Sequence, residues 1–457
     1  MPIVTAPSEP QRLVALLLAA LEAAPRRFRM PALPADAAAA AAAGDAATAL
    51  AFAIDAARRA DETHAPPPAD AQVLFTQALA RLIEEALAPD AGDPAFQAAL
   101  MLAEDAAVAE HVRLAAQRAA DLRAVRAAVD AIAHPGKLRP VPAGASRDAL
   151  AQLHALSLAG EWAQLAQAIA RQQPALGKLA WDAALQRLVR GDALLQLANV
   201  QRYRTLAQRR GPPAGSDAAA ARGRAAASEG AQAERVCVEA LRDIAQMLNH
   251  GDSGFSVVRG LRTPRGFPGI ASKAKEEWDA AIVRHLGRSD GALELVLLAE
   301  IKASPAAATS DLPRLLRGLR RLAEADAETA YAFGSTDGEV RLLGSALRGL
   351  RPIGHALPPR VIYCCAAATE PRPPALLSAA TRTVLLAEPA SRAHAQRLAR
   401  DEAPPPHESL LPVWQALVTA PRLRAALHQY ETACTAREAM LHPDDLRAAV
   451  LGRAGGG

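Results

Sequence analysis

The chain has 457 residues, of which 51% are hydrophobic, 22% charged and 3% aromatic. This length allows two or three domains with proper cores and excludes a single small module. The best apolar run, from Leu13 to Leu21, stops at Glu22, short of the roughly 20 residues that a bilayer-spanning helix needs. A formal charge of +4, from 52 basic and 48 acidic residues, does not by itself demand a polyanionic partner, so only its distribution can inform.

At the start, Ser8-Glu9-Pro10-Gln11 reads as a helix cap in place of a basic secretory leader, from which a cytoplasmic location is expected. From Gln11 to about Arg209 amphipathic helices follow one another, broken by Pro and Gly clusters at residues 65–68, 134–136 and 140–142. No strand pattern interrupts them, and the alanine tract 37–43 offers nothing that fixes a packing face. Between Leu153 and Ala180, the run Ala159-Gly160-Glu161-Trp162 with Leu165, Ala168 and Pro174 resembles one tetratricopeptide-type hairpin, but no period near 34 residues extends it. Residues 1–208 are expected to form a helical bundle or irregular solenoid that docks a protein partner.

Residues 209–230, RRGPPAGSDAAAARGRAAASEG, mix Pro, Gly, Ser and scattered charge without an apolar period, the composition of a linker. Beyond it, residues 231–457 read as an α/β domain with C-terminal helices, so the whole chain is α + α/β. A helix from Ala233 to Leu248 precedes strands at Phe255 to Arg259, Trp278 to Leu286 and Leu293 to Lys302, the last two joined by the turn-rich Gly287-Arg288-Ser289-Asp290-Gly291. Ser310 reads as the cap of a helix running to about Ala327, with Leu312, Leu315, Leu316, Leu319 and Leu322 as its buried stripe. A hairpin at Asp337-Gly338, strands at residues 360–366 and 383–387, and three helices complete the pattern. Cys237, Cys364, Cys365 and Cys434 form no CxxC pair and lack zinc-ligand spacing, so they read as buried thiols.

The chemistry concentrates in Glu277-Trp278-Asp279 and in the apolar strand that ends Glu300-Ile301-Lys302. Side chains alternate along a strand, so Glu300 and Lys302 share one face about 6.5–7 Å apart, and the hairpin brings Asp279 alongside. The chain has only five lysines, Lys137, Lys178, Lys273, Lys275 and Lys302, three of them within thirty positions. In so arginine-rich a protein, a retained lysine marks a place where a compact ammonium is needed. Two carboxylates and an ammonium suit metal-assisted phosphodiester hydrolysis. A hard cation takes one or two carboxylates and keeps waters, while the ammonium orients the attacking water and offsets charge on the phosphate.

Asp279 with Glu300-Ile301-Lys302, inside an αβββαβ order, resembles the PD-(D/E)XK nuclease superfamily over roughly residues 233–387. The resemblance implies a restriction-endonuclease-like mixed sheet and Mg²⁺ or Mn²⁺ as cofactor. It also implies that Asp279, Glu300 and the Ile301 carbonyl are metal ligands and that Lys302 is the catalytic lysine. An acidic residue of the preceding helix often joins in this family, and Glu234 fits that place better than Glu239. Trp278 stands where the motif has Pro, which leaves Asp279 alone as its first half.

Between Ser253 and Lys275 lie Arg259, Arg262, Arg265, Lys273 and Lys275 with no acid, and the following helix adds Arg314, Arg317, Arg320 and Arg321. Such a stretch suits a phosphate backbone, DNA in the first instance. The leading expectation is a metal-dependent nuclease, and the alternative is a nuclease-like domain that holds nucleic acid without cutting it. A third, bland reading makes Glu300 and Lys302 an exposed ion pair where a buried strand meets water. No Walker motif, Rossmann fingerprint or nucleophile elbow favours another enzyme class.

Overall fold

The computed structural model describes residues 9–172, 182–212, 215–249, 254–370, 372–400 and 403–454. The chain divides into two compact units, one of Met1–Leu82, Gly215–Ser391 and Pro406–Gly457, the other of Ile83–Ala214 and Arg392–Pro405. The architecture is mixed α+β, with a helical N-terminal half and a sheet in the C-terminal part.

In the first unit, α1 (Glu9–Ala23) and the long α2 (Asp217–Leu248) precede an antiparallel meander of β1 (Phe255–Arg262), β2 (Glu277–His285) and β3 (Leu293–Lys302). Then come α3 (Pro305–Leu322), the hairpin β4 (Ala330–Ser335) and β5 (Gly338–Leu343), β6 (Val361–Cys365), α4 (Gln429–Glu438), β7 (Met440–Leu441) and α5 (Pro443–Ala454). Strand order across the sheet is β2-β1-β4-β5-β3-β6-β7, with β2 also paired to β3. β6 runs parallel to β3 in a register that sets Tyr363 beside Glu300 and Cys365 beside Lys302. The stretch Leu295 to Ala299 is apolar without alternation because both faces of β3 are covered. Leu312, Leu315, Leu316, Leu319 and Leu322 of α3 pack on one face with Leu298 and Tyr363. Val14 and Leu17 of α1, Leu241 and Ile244 of α2, and Leu446 and Val450 of α5 pack on the other with Val296, Leu297 and Ala299.

The second unit is helical throughout its described residues. The helix Ala106–Ala133 packs against Ala145–Ala159, Trp162–Arg171 and Ala183–Leu194 around Val125, Val129, Leu153, Trp162, Leu165 and Leu188. The hairpin read around Gly160 is present, with Gly160 at φ +76 closing its turn; Pro174 and the remainder of that pattern lie outside the described residues.

Four expectations are corrected. Of the expected linker 209–230, residues 217–230 are the N-terminal part of α2, capped by Ser216, whose side chain accepts from Ala219 N; residues 213–214 lie outside the described residues. The stretch shows no apolar stripe because it is exposed almost all round, while its alanines supply helix propensity. Residues up to Leu82 belong with the sheet and not with one helical domain 1–208, because α1 covers the sheet face that α2 and α5 share. Residues 383–387 are not a strand but the end of the helix Ala379–Ala387, capped by Ser378, despite the β-branched Thr381, Thr383 and Val384. α3 begins at Pro305 after Ser304, and Ser310 lies inside it, donating its hydroxyl to Ala307 O.

Leu17 is fully buried among residues of α2 and the sheet. Leu17→Ala should cost about 2–5 kcal/mol in denaturant unfolding of the full chain. An unchanged midpoint would show that α1 is not part of the sheet's core.

Candidate active site

The ends of β2 and β3 bring the two halves of the sequence motif together. The pair Ala280↔Ala299 continues one step to Asp279 and Glu300, so the hairpin sets these residues across from each other. Asp279 Oδ2 accepts the Ile301 amide at 2.7 Å, tying its side chain to β3 itself. Glu300 is completely buried. Its Oε2 lies at ion-pair distance from Lys275 Nζ, 2.5 Å, and Lys302 Nζ, 3.5 Å, and neither Oε2 nor Oε1 has a hydrogen bond of normal geometry. Lys302 Nζ lies 3.1 Å from Asp311 Oδ2 on α3, and Lys275 Nζ lies 3.9 Å from Asp311 Oδ1. The Tyr363 hydroxyl donates to Asp311 Oδ2 at 3.4 Å, and its ring lies 5.8 Å from the Lys302 ammonium.

The cluster thus holds three carboxyl groups and two ammoniums, with Glu300 and Lys275 buried and Asp279, Lys302 and Asp311 half-buried. Burial, reinforced by the charge of Asp279, pushes the Glu300 carboxyl up to about 8 against the opposing pull of Lys275 and Lys302. Burial pulls the Lys275 ammonium down, but Glu300, Asp279 and Asp311 outweigh it and leave the group above its ordinary range. Burial and Asp311 also raise the Tyr363 phenol, so that it stays a donor. Glu300 lacks compensation for one of its oxygens, and a hard divalent cation is a group that supplies it. Asp279 and Glu300 meet the one- or two-carboxylate requirement of such an ion. The three carboxylates do not close into one shell: among the described residues, only His355, His428 and Glu431 set three ligand atoms within 4.8 Å of one another.

No protein-family model, curated protein or solved structure matches the chain. The chemistry of the cluster is therefore read from its own geometry. Asp279, Glu300 and Lys302 come together, and the bland reading of Glu300–Lys302 as an exposed pair fails because Glu300 has no exposure. Glu234 does not join them. It is exposed on α2, which covers the sheet face opposite α3, whereas Glu300 and Lys302 project toward Asp311 of α3. Ile301 packs toward the α2 face and meets Asp279 through its amide.

Lys275, expected on a phosphate-contacting loop, is instead buried in the cluster. Arg321 is buried too, paired with Glu276 at 2.6 Å. The acid-free run also acquires acids in space, because the β1–β2 register sets Arg262 across from Glu277 at 3.2 Å and Arg259 pairs with Asp337 at 3.0 Å. Arg317 spends its Nε on the Lys273 carbonyl, and Lys273 takes a left-handed φ of +56. Arg265, Lys273, Arg314 and Arg317 remain exposed. Sequence reasoning missed Asp311 and Tyr363. The rarity of lysine was the signal for Lys275.

A carboxyl raised from 4.5 to about 8 keeps a proton in the folded chain that the unfolded chain releases. Folded protein then binds more protons across that interval, so Glu300 makes stability fall as pH rises through it. Thermal unfolding without added metal should show this decline between about pH 5 and pH 8, and Glu300→Gln should flatten it. An equal slope in the variant would place the proton elsewhere.

Proposed function

We propose that the chain is a divalent-metal-dependent phosphodiesterase of the PD-(D/E)XK type that cuts nucleic acid, DNA in the first instance. Support for the fold part of this reading comes from the succession α2, β1, β2, β3, α3, β6, in which β6 returns parallel to β3 and the β4–β5 hairpin is an addition. The observation that carries the chemical part is the meeting of Asp279, Glu300 and Lys302 at the end of β3, around a buried carboxylate oxygen that lacks a partner.

Asp279 and Glu300 are the residues that would hold Mg²⁺ or Mn²⁺, which when bound supplies charge neutralisation at the phosphate and a more acidic water. Lys302 is the ammonium available to orient that water and to meet charge developing on the phosphate oxygens. Asp311 fixes where the Lys302 ammonium sits, and Tyr363 in turn fixes Asp311. Lys275 balances Glu300 from the other side. One observation favours a second reading, a binder that does not cut: Lys275 already places an ammonium 2.5 Å from the carboxylate that a cation needs.

Mg²⁺-dependent cleavage of DNA and RNA by the purified chain, with EDTA as control, separates the two. Asp279→Asn and Glu300→Gln should abolish cutting, and Lys302→Ala should lower its rate about 10²–10³-fold while leaving metal affinity in place. Lys302→Arg should not restore it, because a planar guanidinium does not fit a point-charge position. Activity that survives Asp279→Asn and Lys302→Ala refutes the site. A wild type inert on both substrates with either metal favours the binder.

Nucleic-acid contact is assigned to the cations still facing solvent. Replacing Arg265, Lys273 and Arg314 together by Ala should weaken binding about equally across sequences and lower the salt-dependence slope by about 2–3. An unchanged slope would remove this surface from the interface.

A further inference from the structure

Between β5 and β6 the chain makes a tight turn at Gly354, φ +60, closed by a bridge between Ile353 and Ala356. His355 stands exposed on it and stacks on His428 at the start of α4, with ring centroids 5.8 Å apart and planes 28° apart. Glu431, one turn into α4, brings its Oε2 to 3.1 Å from His428 Nδ1. We propose that His355, His428 and Glu431 bind one divalent cation of the zinc class, at a site that shares no residue with the Glu300 cluster.

The ligand atoms of the three residues all lie within 4.8 Å of one another. The 3.1 Å separation of His428 Nδ1 and Glu431 Oε2 is close to the edge of a tetrahedron with bonds of about 2.0 Å, about 3.3 Å. Two imidazoles and one carboxylate select a borderline ion such as Zn²⁺ over Mg²⁺, which prefers oxygen alone. The exposure of His355 leaves a side for water as the fourth ligand. His428 is largely buried, and its Nδ1, the nitrogen beside Glu431 Oε2, is the ligand atom. Arg58 Nη1 also approaches Glu431, at 3.8 Å, but Arg58 is already paired with Asp55 at 2.8 Å and Glu62 at 2.7 Å, so Glu431 is not needed to neutralise it. A cation here pins the β5–β6 turn to α4. The same turn accepts a hydrogen bond at Gly354 O from Arg320 of the arginine-bearing α3, at 2.8 Å.

The test is titration of the full-length, metal-stripped chain with Co²⁺ and Zn²⁺, in excess Mg²⁺ to occupy the Glu300 cluster. Wild type and Asp279→Asn should each bind one equivalent, with Co²⁺ giving the visible absorption of a tetrahedral site. His355→Ala, which removes an exposed ring and should leave the circular dichroism unchanged, should weaken binding about 10–100-fold, and so should Glu431→Gln. No stoichiometric binding by wild type, or unchanged affinity in a folded His355→Ala, overturns the proposal.

Discussion

Glu300 sits at the end of β3 with no access to water, and a carboxylate in that position persists only if other charges meet it. Lys275 arrives from the chain just before β2, Lys302 from the same strand two residues on, and Asp311 from α3 holds both ammoniums from the far side. Three separate stretches of sequence are thereby fixed to one point. Removing one partner from a buried pair costs about 3–5 kcal/mol, more than a surface ion pair contributes, so the cluster constrains the fold as strongly as any leucine in it. A group of apolar residues would fill the same space without that penalty. Retention of a half-compensated carboxylate, with one oxygen unpartnered, is what motivates a catalytic reading over a structural one.

The sheet explains why Glu300 can be dry. α3 lies over one face of β3 and α1, α2 and α5 over the other, so the strand enters water at neither side. Glu300 and Lys302 point toward α3 by alternation, and β6, running parallel to β3, completes the wall with Tyr363. Asp279 reaches the same face from β2 and takes up the Ile301 amide at the point where strand pairing ends. Backbone and site are linked through that bond: the residue proposed to hold a cation also ends the hairpin ladder.

Sequence alone made the sheet's centre legible because a short unbroken apolar run such as Leu295 to Ala299, bounded by charge and turn residues, fits a strand buried on both faces. Asp279, Glu300 and Lys302 were found for the same reason, since strand periodicity and a short turn determine which side chains meet. What remained hidden depended on contacts far apart in the chain. Nothing in α1 announces that it packs on a sheet more than two hundred residues later, and nothing in α3 marks Asp311 as the partner of two lysines. The N-terminal part of α2 was misread because a missing apolar stripe means an exposed helix as readily as a linker, and alanine favours the helix. The basic loop was misread in the opposite sense. It lacks acids in sequence, but the β1–β2 register sets Glu277 across from Arg262.

Metal at the Glu300 cluster is the central claim, and it can be observed without relying on turnover. Crystals of the full chain grown with Mn²⁺ and measured at the manganese absorption edge locate the ion directly. The expected result is an anomalous peak about 2–2.3 Å from Glu300 Oε1 and from one oxygen of Asp279. Full Mn²⁺ occupancy elsewhere, with Glu300 still held only by Lys275 and Lys302, would contradict it.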